Sequence, residues 1–160
     1  MRINFERANK SKEWRALQTI DREAYPKDFW DREDYMEKGL TIFKVTRRGK
    51  MIAWIGISRN QRFPIHRWQR WKTPGFLYIA GFCILPQFDT EQLKNQMILW
   101  LANYCEQWGM QWISTNERAS HPLVPFFKKL GFSEVARQDG YWMKPPEPNV
   151  VLEREIYNRH

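Results

Sequence analysis

The stretch FLYIAGFCILPQFDTEQLKNQMILWLANYCEQWG, Phe76 to Gly109, carries the clearest secondary-structure pattern in this sequence. Its first ten residues are almost all apolar, which is typical of a strand buried on both faces of a sheet. After the polar turn PQFDTEQ, Asp89 can cap a helix, Gln92 can reach back to that cap, and Gly109 can end the helix. The helical stripe consists of apolar residues four apart: Leu93, Met97, Leu101 and Cys105. The stretch therefore predicts a strand–turn–helix unit, and ligands of α/β proteins bind where such a strand ends and its helix begins.

The remaining elements follow from periodicity and from turn-forming residues. Strands are predicted over residues 2–8, 40–46, 51–58, 111–115, 132–137 and 150–156, and helices from a cap at Ser11 to Pro26, over 31–38 and over 122–130. Gly49 predicts a tight turn that joins the second and third strands as a hairpin. The order of elements predicts one α/β (α+β) domain spanning residues 1–160. In it an antiparallel start gives way to a parallel strand pair joined by the central helix.

Composition narrows the class of protein. The 160 residues carry neither a signal peptide nor an apolar segment of transmembrane length, so we expect a soluble, cytoplasmic protein without a membrane partner. The two cysteines, Cys83 and Cys105, fall inside a predicted strand and helix. We expect buried, reduced thiols rather than a disulfide or a catalytic thiol. Neither has a histidine at motif spacing, and we expect no metal site.

The positive charge is unevenly distributed. The net charge is +8, and residues 38–88 contain ten lysines and arginines but no acid. Residues 59–75 are predicted to form a long basic loop interleaved with aromatic residues, and this mixture suits phosphates and stacked bases. The residues predicted to contact nucleic acid, or another anionic partner such as an acidic protein, are Arg59, Arg62, Arg67, Trp68, Arg70, Trp71 and Lys72. Alternatively, the tryptophans fix the loop to the core, the arginines are solvated, and the charge serves solubility.

A second segment, TNERASHPLVPFFKKLGF from Thr115 to Phe132, resembles a recurrent feature of the GNAT superfamily of acyl-CoA-dependent N-acyltransferases. The order of elements resembles that family over essentially the whole chain. The resemblance implies a mixed, mostly antiparallel, twisted sheet with helices on both faces and a V-shaped gap beside the central strand. It also implies transfer of an acetyl or other acyl group from acyl-CoA to a primary amine by direct attack. The amine would belong to a small molecule or a macromolecule.

The resemblance also implies residues for the cofactor. The backbone near Ile84 and Leu85 would pair with pantetheine, and Asn116 would face the pantetheine arm. Gln92, Lys94 and Asn95 would face the pyrophosphate, and Phe127 would also contact the cofactor. The family's phosphate-binding turn contains glycines, whereas this turn contains none and includes Asp89.

The positions of the catalytic groups differ from the family pattern as well. Phe127 occupies the position where many members have a tyrosine general acid, and residues 76–85 contain no carboxylate. His121, Tyr78 and Tyr141 are the candidates for proton transfer. Glu117, beside Asn116, is a further candidate for the base, and the favoured interpretation is a solvated charge at the end of a strand. An alternative function follows: a catalytically inactive GNAT-like protein that binds nucleic acid or another anionic partner through residues 59–72.

Overall fold

A computed structural model describes residues 2–58, 75–140 and 145–156. Within these ranges the strands are β1 Asn4–Arg7, β2 Leu40–Arg47, β3 Lys50–Ser58, β4 Phe76–Ile84, β5 Trp112–Arg118, β6 Ser133–Gln138 and β7 Asn149–Glu155. The helices are α1 Lys10–Ala24, α2 Arg32–Tyr35, α3 Glu91–Gln107 and α4 Leu123–Lys129. Tyr141 and the predicted nucleic-acid-binding residues lie outside the described ranges, so the expectations for them stay predictions.

The strands form one mixed sheet in the order β1-β2-β3-β4-β5-β7-β6. β4 and β5 run parallel, and the other neighbouring pairs run antiparallel. The predicted hairpin is confirmed: Arg48 and Gly49 both have positive φ, 53° and 76°, as a two-residue turn between β2 and β3 requires. The predicted fold class is likewise confirmed, with a single parallel pair at the centre of an otherwise antiparallel sheet.

Both long helices begin one or two residues away from the predicted caps. Asn9, not Ser11, caps α1, and its side chain accepts a hydrogen bond from the Lys12 amide. Thr90, not Asp89, caps α3 and accepts from the Leu93 amide at 3.1 Å. The cap moves in α3 because residues 86–88 form a turn of 3₁₀ helix, to which the Asp89 amide contributes its hydrogen bond. Gly109, with φ of 67°, follows the end of α3 as predicted.

The helices cover opposite faces of the sheet. α3 and α4 pack on one face in the larger core, which includes Met97 and Phe127. α1 and α2 pack on the other face around Trp54, which is fully buried and whose indole N–H donates to the Leu17 carbonyl at 3.0 Å. The sheet therefore separates two cores, and any opening in it connects the two sides.

Such an opening lies between β4 and β5. Their ladder ends at the pair Ile79 and Thr115, after which the described part of β4 pairs with β3 and that of β5 with β7. β4 contains a bulge here, because Ala80 is an extra residue between Ile79, opposite Ile57, and Gly81, opposite Gly56. The predicted end of β5 at Thr115 is wrong. The strand continues to Arg118 because β7 pairs with its polar last three residues.

Gly81 is needed at the bulge because the Trp54 ring lies directly on it. A Cβ added at position 81 would lie 2.5 Å from Cζ3 of Trp54. Gly81→Ala is therefore expected to lower the free energy of unfolding by about 2 kcal/mol, as overpacking of a rigid core does. Urea denaturation followed by tryptophan fluorescence measures the change.

A double-mutant cycle supplies the control for Gly81→Ala. Trp54→Leu removes the clashing ring, so the loss in the Gly81→Ala/Trp54→Leu double variant should be at least 1 kcal/mol smaller than the sum of the two single losses, by an order-of-magnitude estimate. If the two losses simply add, the contact between the ring and Gly81 is not the cause.

Candidate active site

Two cavities approach the opening from opposite faces of the sheet. The first, named here the α1-side cavity, has a volume of about 370 Å³ and is lined by the end of α1, by β4 and by residues 115–118 of β5. The second, the α3-side cavity, has a volume of about 310 Å³ and is lined by the last residues of β4, by Lys94 and by His121. Tyr25 and Phe82 line both cavities. A partition one side chain thick therefore separates the two spaces.

Glu117 lies at this partition and is not a solvated charge. Its side chain is 14% exposed, and Oε2 accepts a hydrogen bond of 2.7 Å from the Tyr25 hydroxyl. Burial raises the pKa of Glu117 to about 8; the nearby Asp28 carboxylate adds to the rise and the Tyr25 hydrogen bond opposes it. A carboxyl group with this pKa exchanges its proton near neutral pH, as a general base must.

The Tyr25 hydroxyl bridges the two strands that separate. It lies 2.7 Å from Glu117 on β5 and 3.2 Å from the Phe82 carbonyl on β4, yet a phenol has one hydrogen to donate. Both contacts are satisfied at once when Glu117 is protonated, since its O–H then donates to Tyr25, which donates to Phe82. The geometry thus agrees with the raised pKa of Glu117.

His121 lies on the α3 side of the same cluster. Its ring stacks on Tyr25 with centroids 4.8 Å apart, and Nδ1 accepts from the Leu123 amide at 3.1 Å. Nδ1 is 3.6 Å from Glu117 Oε2, beyond hydrogen-bond distance. Burial lowers the pKa of His121, so the imidazole is neutral near pH 7. His121 therefore holds the Tyr25 ring, and the nitrogen nearer to Glu117 is already bonded to backbone.

Tyr78 lies on the α1 side and starts a chain of hydrogen bonds. Its hydroxyl donates to Oδ1 of Asn116 at 2.5 Å, and Nδ2 of Asn116 donates to Oδ1 of Asn149 at 3.1 Å. All three residues line the α1-side cavity. Burial raises the pKa of the Tyr78 phenol well above its ordinary value, so this hydroxyl stays protonated.

Arg118 fixes the outer wall of the α1-side cavity. Its Nε and Nη2 donate to the two carboxylate oxygens of Asp28, at 2.5 and 2.8 Å, in a forked pair. Nη1 donates to the Pro145 carbonyl at 2.6 Å and to Glu147 at 3.2 Å. The last residue of β5 thereby connects the segment after α1 with the segment before β7.

The start of α3 borders the α3-side cavity. The first amides of a helix have no carbonyl partner within it, and those of Glu91 and Gln92 precede the amide bonded to Thr90. Asp89 forms an ion pair with Lys94 at 3.1 Å, which offsets its negative charge at this helix end. Glu91 pairs with Lys129 of α4 at 2.7 Å. Both acids near the helix start are thus neutralised by lysines.

A comparison with protein families is decisive here. The sequence model described as the acetyltransferase (GNAT) family matches residues 9–132. The chain belongs to this family. A comparison with curated protein sequences finds no match.

Solved structures of GNAT proteins share the fold over nearly the whole chain. The ribosomal-protein-S18-alanine N-acetyltransferase from Escherichia coli is 15% identical, with a TM-score of 0.78, over 99% of this chain and 97% of that one. Ard1 from Thermoplasma volcanium is 13% identical, with a TM-score of 0.76, over 99% and 100%. Arabidopsis thaliana NAA60 in complex with acetyl-CoA is 15% identical, with a TM-score of 0.75, over 97% and 99%. At these identities the likeness establishes the fold.

The residues that the GNAT resemblance assigned to the cofactor lie in different environments. Ile84 lines the α3-side cavity, and Leu85 is buried, with its amide bonded to the Ile52 carbonyl at 2.9 Å. Gln92 and Asn95 are exposed in the first turns of α3. Phe127 is fully buried, and its ring contacts that of Phe82, with centroids 5.7 Å apart. Asn116 lines the α1-side cavity.

Sequence reasoning did not single out Tyr25 or Arg118, and it assigned Glu117 to solvent. Tyr25 follows a predicted helix and precedes a proline, where a tyrosine carries no distinctive signal. The signal that was available is the run Asn116-Glu117-Arg118, three polar residues directly after an apolar strand. In a strand extended through these residues, alternation places Glu117 on the same face as Ile113, which is buried.

Among the described residues, no group of three His, Cys, Asp or Glu side chains is arranged to hold a metal ion. In the same part of the chain, no helix is both long enough and apolar enough to cross a membrane. Cys83 and Cys105 are buried free thiols, and burial raises the pKa of both.

Proposed function

We propose that this protein transfers an acyl group from acyl-CoA to a primary amine, with Glu117 as the general base. The observation that supports this most strongly is the buried carboxyl of Glu117 at the opening between β4 and β5, with a pKa of about 8. An amine bound in the α1-side cavity must lose a proton as its nitrogen forms the new bond. Glu117 lines that cavity and receives the proton.

Tyr25 can form a hydrogen bond in both protonation states of Glu117. When Glu117 is ionised, the Tyr25 hydroxyl donates to it, and when Glu117 holds the proton, the same hydroxyl turns to the Phe82 carbonyl. A single side chain thus satisfies both protonation states without moving out of the partition. Tyr78 and Tyr141 stay candidates for the acid, since Phe127 has no proton to give.

Acyl-CoA would supply an activated thioester when bound. The α3-side cavity and the first amides of α3 fit a chain that ends in phosphates, because unpaired N–H groups and the helix dipole favour anions. Lys94 lines that cavity and would pair with a phosphate, whereas Asp89 opposes one. The backbone at Ile84 would pair with the pantetheine arm, whereas the amide and carbonyl of Leu85 are already bonded to Ile52 and Phe88.

Titration of the protein with acetyl-CoA in a calorimeter tests the donor. We expect heat of binding at micromolar concentrations. Asp89→Asn should tighten binding about threefold and Lys94→Met should weaken it about threefold, because each removes one charge near the helix start. Lys12→Met, on exposed α1 surface, should leave binding unchanged. Absence of heat at high micromolar acetyl-CoA would refute the use of this donor.

A further inference from the structure

Asn149 has a buried donor without a partner at the wall of the α1-side cavity. The side chain is 0% exposed, and its Oδ1 accepts from Asn116. Its Nδ2 has no hydrogen-bond partner in the structure as described for residues 2–58, 75–140 and 145–156. A buried donor left unpaired has a desolvation cost that no hydrogen bond offsets. Such a cost in a cavity wall is explained if a ligand supplies the missing acceptor.

The hydrogen-bond chain that ends at Asn149 determines which polar group of this side chain is left to bind a ligand. The protonated Tyr78 hydroxyl occupies Oδ1 of Asn116, so Asn116 presents its NH₂ group to Oδ1 of Asn149. The NH₂ group of Asn149 is then the free end of the chain. It can bind an oxygen acceptor but not an ammonium group.

The charges around the cavity indicate a neutral acceptor oxygen. Asp21, Asp28 and Glu117 line the cavity together with a single cation among the described lining residues, Arg118. The guanidinium of Arg118 is already bonded to Asp28, Glu147 and the Pro145 carbonyl. A ligand carboxylate would lie near the carboxylates of Asp21 and Asp28, and Arg118 is already engaged by other partners, whereas a carbonyl oxygen would carry no charge to be compensated.

We propose that Nδ2 of Asn149 donates to a neutral carbonyl oxygen of the acceptor. The acceptor would then be an amine with a carboxamide a few bonds away, as in an amino acid amide or the first residue of a peptide. Glu117 on β5 and Asn149 on β7, which lies opposite the next residue Arg118, both line the cavity, so the base and the donor border the same space. This substrate class rests on the proposed function.

Three small amines test the substrate class. With saturating acetyl-CoA, wild-type protein is expected to have a higher kcat/KM for glycinamide than for ethylamine, and the lowest value for glycine. Asn149→Leu and Asn149→Asp should each reduce the glycinamide-to-ethylamine ratio about tenfold, since one hydrogen bond to the carbonyl is lost. The effect of each amine's own pKa on its rate is the same in every variant, so it cancels when this ratio is compared between variants. Glycylglycinamide offers the same carbonyl on a longer chain, and whether it exceeds glycinamide distinguishes a peptide from a small amide.

Gln138→Leu is the matched control. Gln138 lies opposite Asn149 on β6, and its Oε1 is also buried without a partner among the described residues, but it does not line the cavity. The glycinamide-to-ethylamine ratio of kcat/KM in Gln138→Leu should equal that of wild type. Asn149→Asp keeps the oxygen that accepts from Asn116. It therefore tests the loss of the NH₂ donor if Asn149→Leu does not fold. An unchanged ratio in a folded Asn149 variant overturns the proposal.

A binding measurement separates this proposal from the acyltransferase proposal. The side-chain NH₂ signal of Asn149 in ¹⁵N-labelled protein should shift on addition of glycinamide and stay unchanged with ethylamine. If no amine is acetylated but this shift occurs, the acyltransferase function fails and the carbonyl site stands. If the signal does not shift, the carbonyl site is refuted whatever the activity.

Discussion

Replacement of Glu117 by glutamine is expected to reduce kcat/KM for amine acetylation by about 10²–10⁴-fold, the usual contribution of a positioned general base. Glutamine has the shape of the protonated acid, and its NH₂ group can donate to Tyr25 as the carboxyl O–H does. The partition between the cavities should therefore stay intact while the proton acceptor is lost. Steady-state kinetics with acetyl-CoA and a primary amine measure the effect.

The same substitution should make the folded state less sensitive to pH. The pKa of Glu117 is about 8 in the folded chain against an ordinary value of 4.5. Between these values the unfolded chain has released a proton that the folded chain retains, so the free energy of unfolding falls as pH rises, by at most roughly 1.4 kcal/mol per pH unit. Glu117→Gln removes this fall, and its stability relative to wild type should increase from pH 5 to pH 8.5.

Wild-type activity should rise with pH through about 8, as Glu117 loses its proton. Glu106→Gln is the matched control, since Glu106 is exposed on α3. Its activity and its stability profile should both equal those of wild type. If Glu117→Gln retains wild-type kcat/KM, the assignment of the base is wrong, even where the stability change is found.

Arg118→Met is expected to lower the free energy of unfolding by about 3 kcal/mol. The arginine side chain is 10% exposed, and its removal leaves Asp28 and Glu147 without their common cation. The loss should stay below the largest values for buried pairs because Asp28 is 35% exposed and retains part of its hydration. Urea denaturation measures the loss, and amide exchange should accelerate in the segments that contain these two acids.

Two variants control for the loss of charge alone. Arg137→Met removes a pair with Glu134 of 2.9 Å in which the arginine is 54% exposed, and it should cost no more than about 0.5 kcal/mol. Arg118→Lys keeps the charge but not the fork, and its loss should fall between the two. Equal losses for Arg118→Met and Arg137→Met would show that Arg118 does not connect the two segments.

Sequence patterns were sufficient for the fold but not for the site. The apolar run of β4 and the four-residue period of α3 arise because these residues are buried in the core. Burial of this kind can be predicted from local sequence. The turn at Gly49 could be predicted because it requires a positive φ, which few residues other than glycine adopt. The 3₁₀ turn over residues 86–88 shifted the cap of α3 from Asp89 to Thr90, and both residues are good caps, so the sequence did not distinguish them.

The site depends on contacts between residues far apart in the chain. Tyr25 and Glu117 are separated by 92 positions, and Arg118 and Asp28 by 90. Nothing in the local sequence of either member indicates its partner. Because the sequence predicts that β5 ends at Thr115, it favours a solvated charge for Glu117 over a base. Its burial depends on pairing of its strand with β7, which local periodicity does not record.

The extra residue Ala80 changes which residues of β4, odd-numbered or even-numbered, face the core under α3. Before it the odd-numbered residues Leu77 and Ile79 belong to the core under α3, and after it the even-numbered Phe82 and Ile84 do. Deletion of one residue from this strand would exchange the two faces for everything on one side of the deletion. Changes in its length during evolution should therefore occur in steps of two, or be matched by a second change in the same strand.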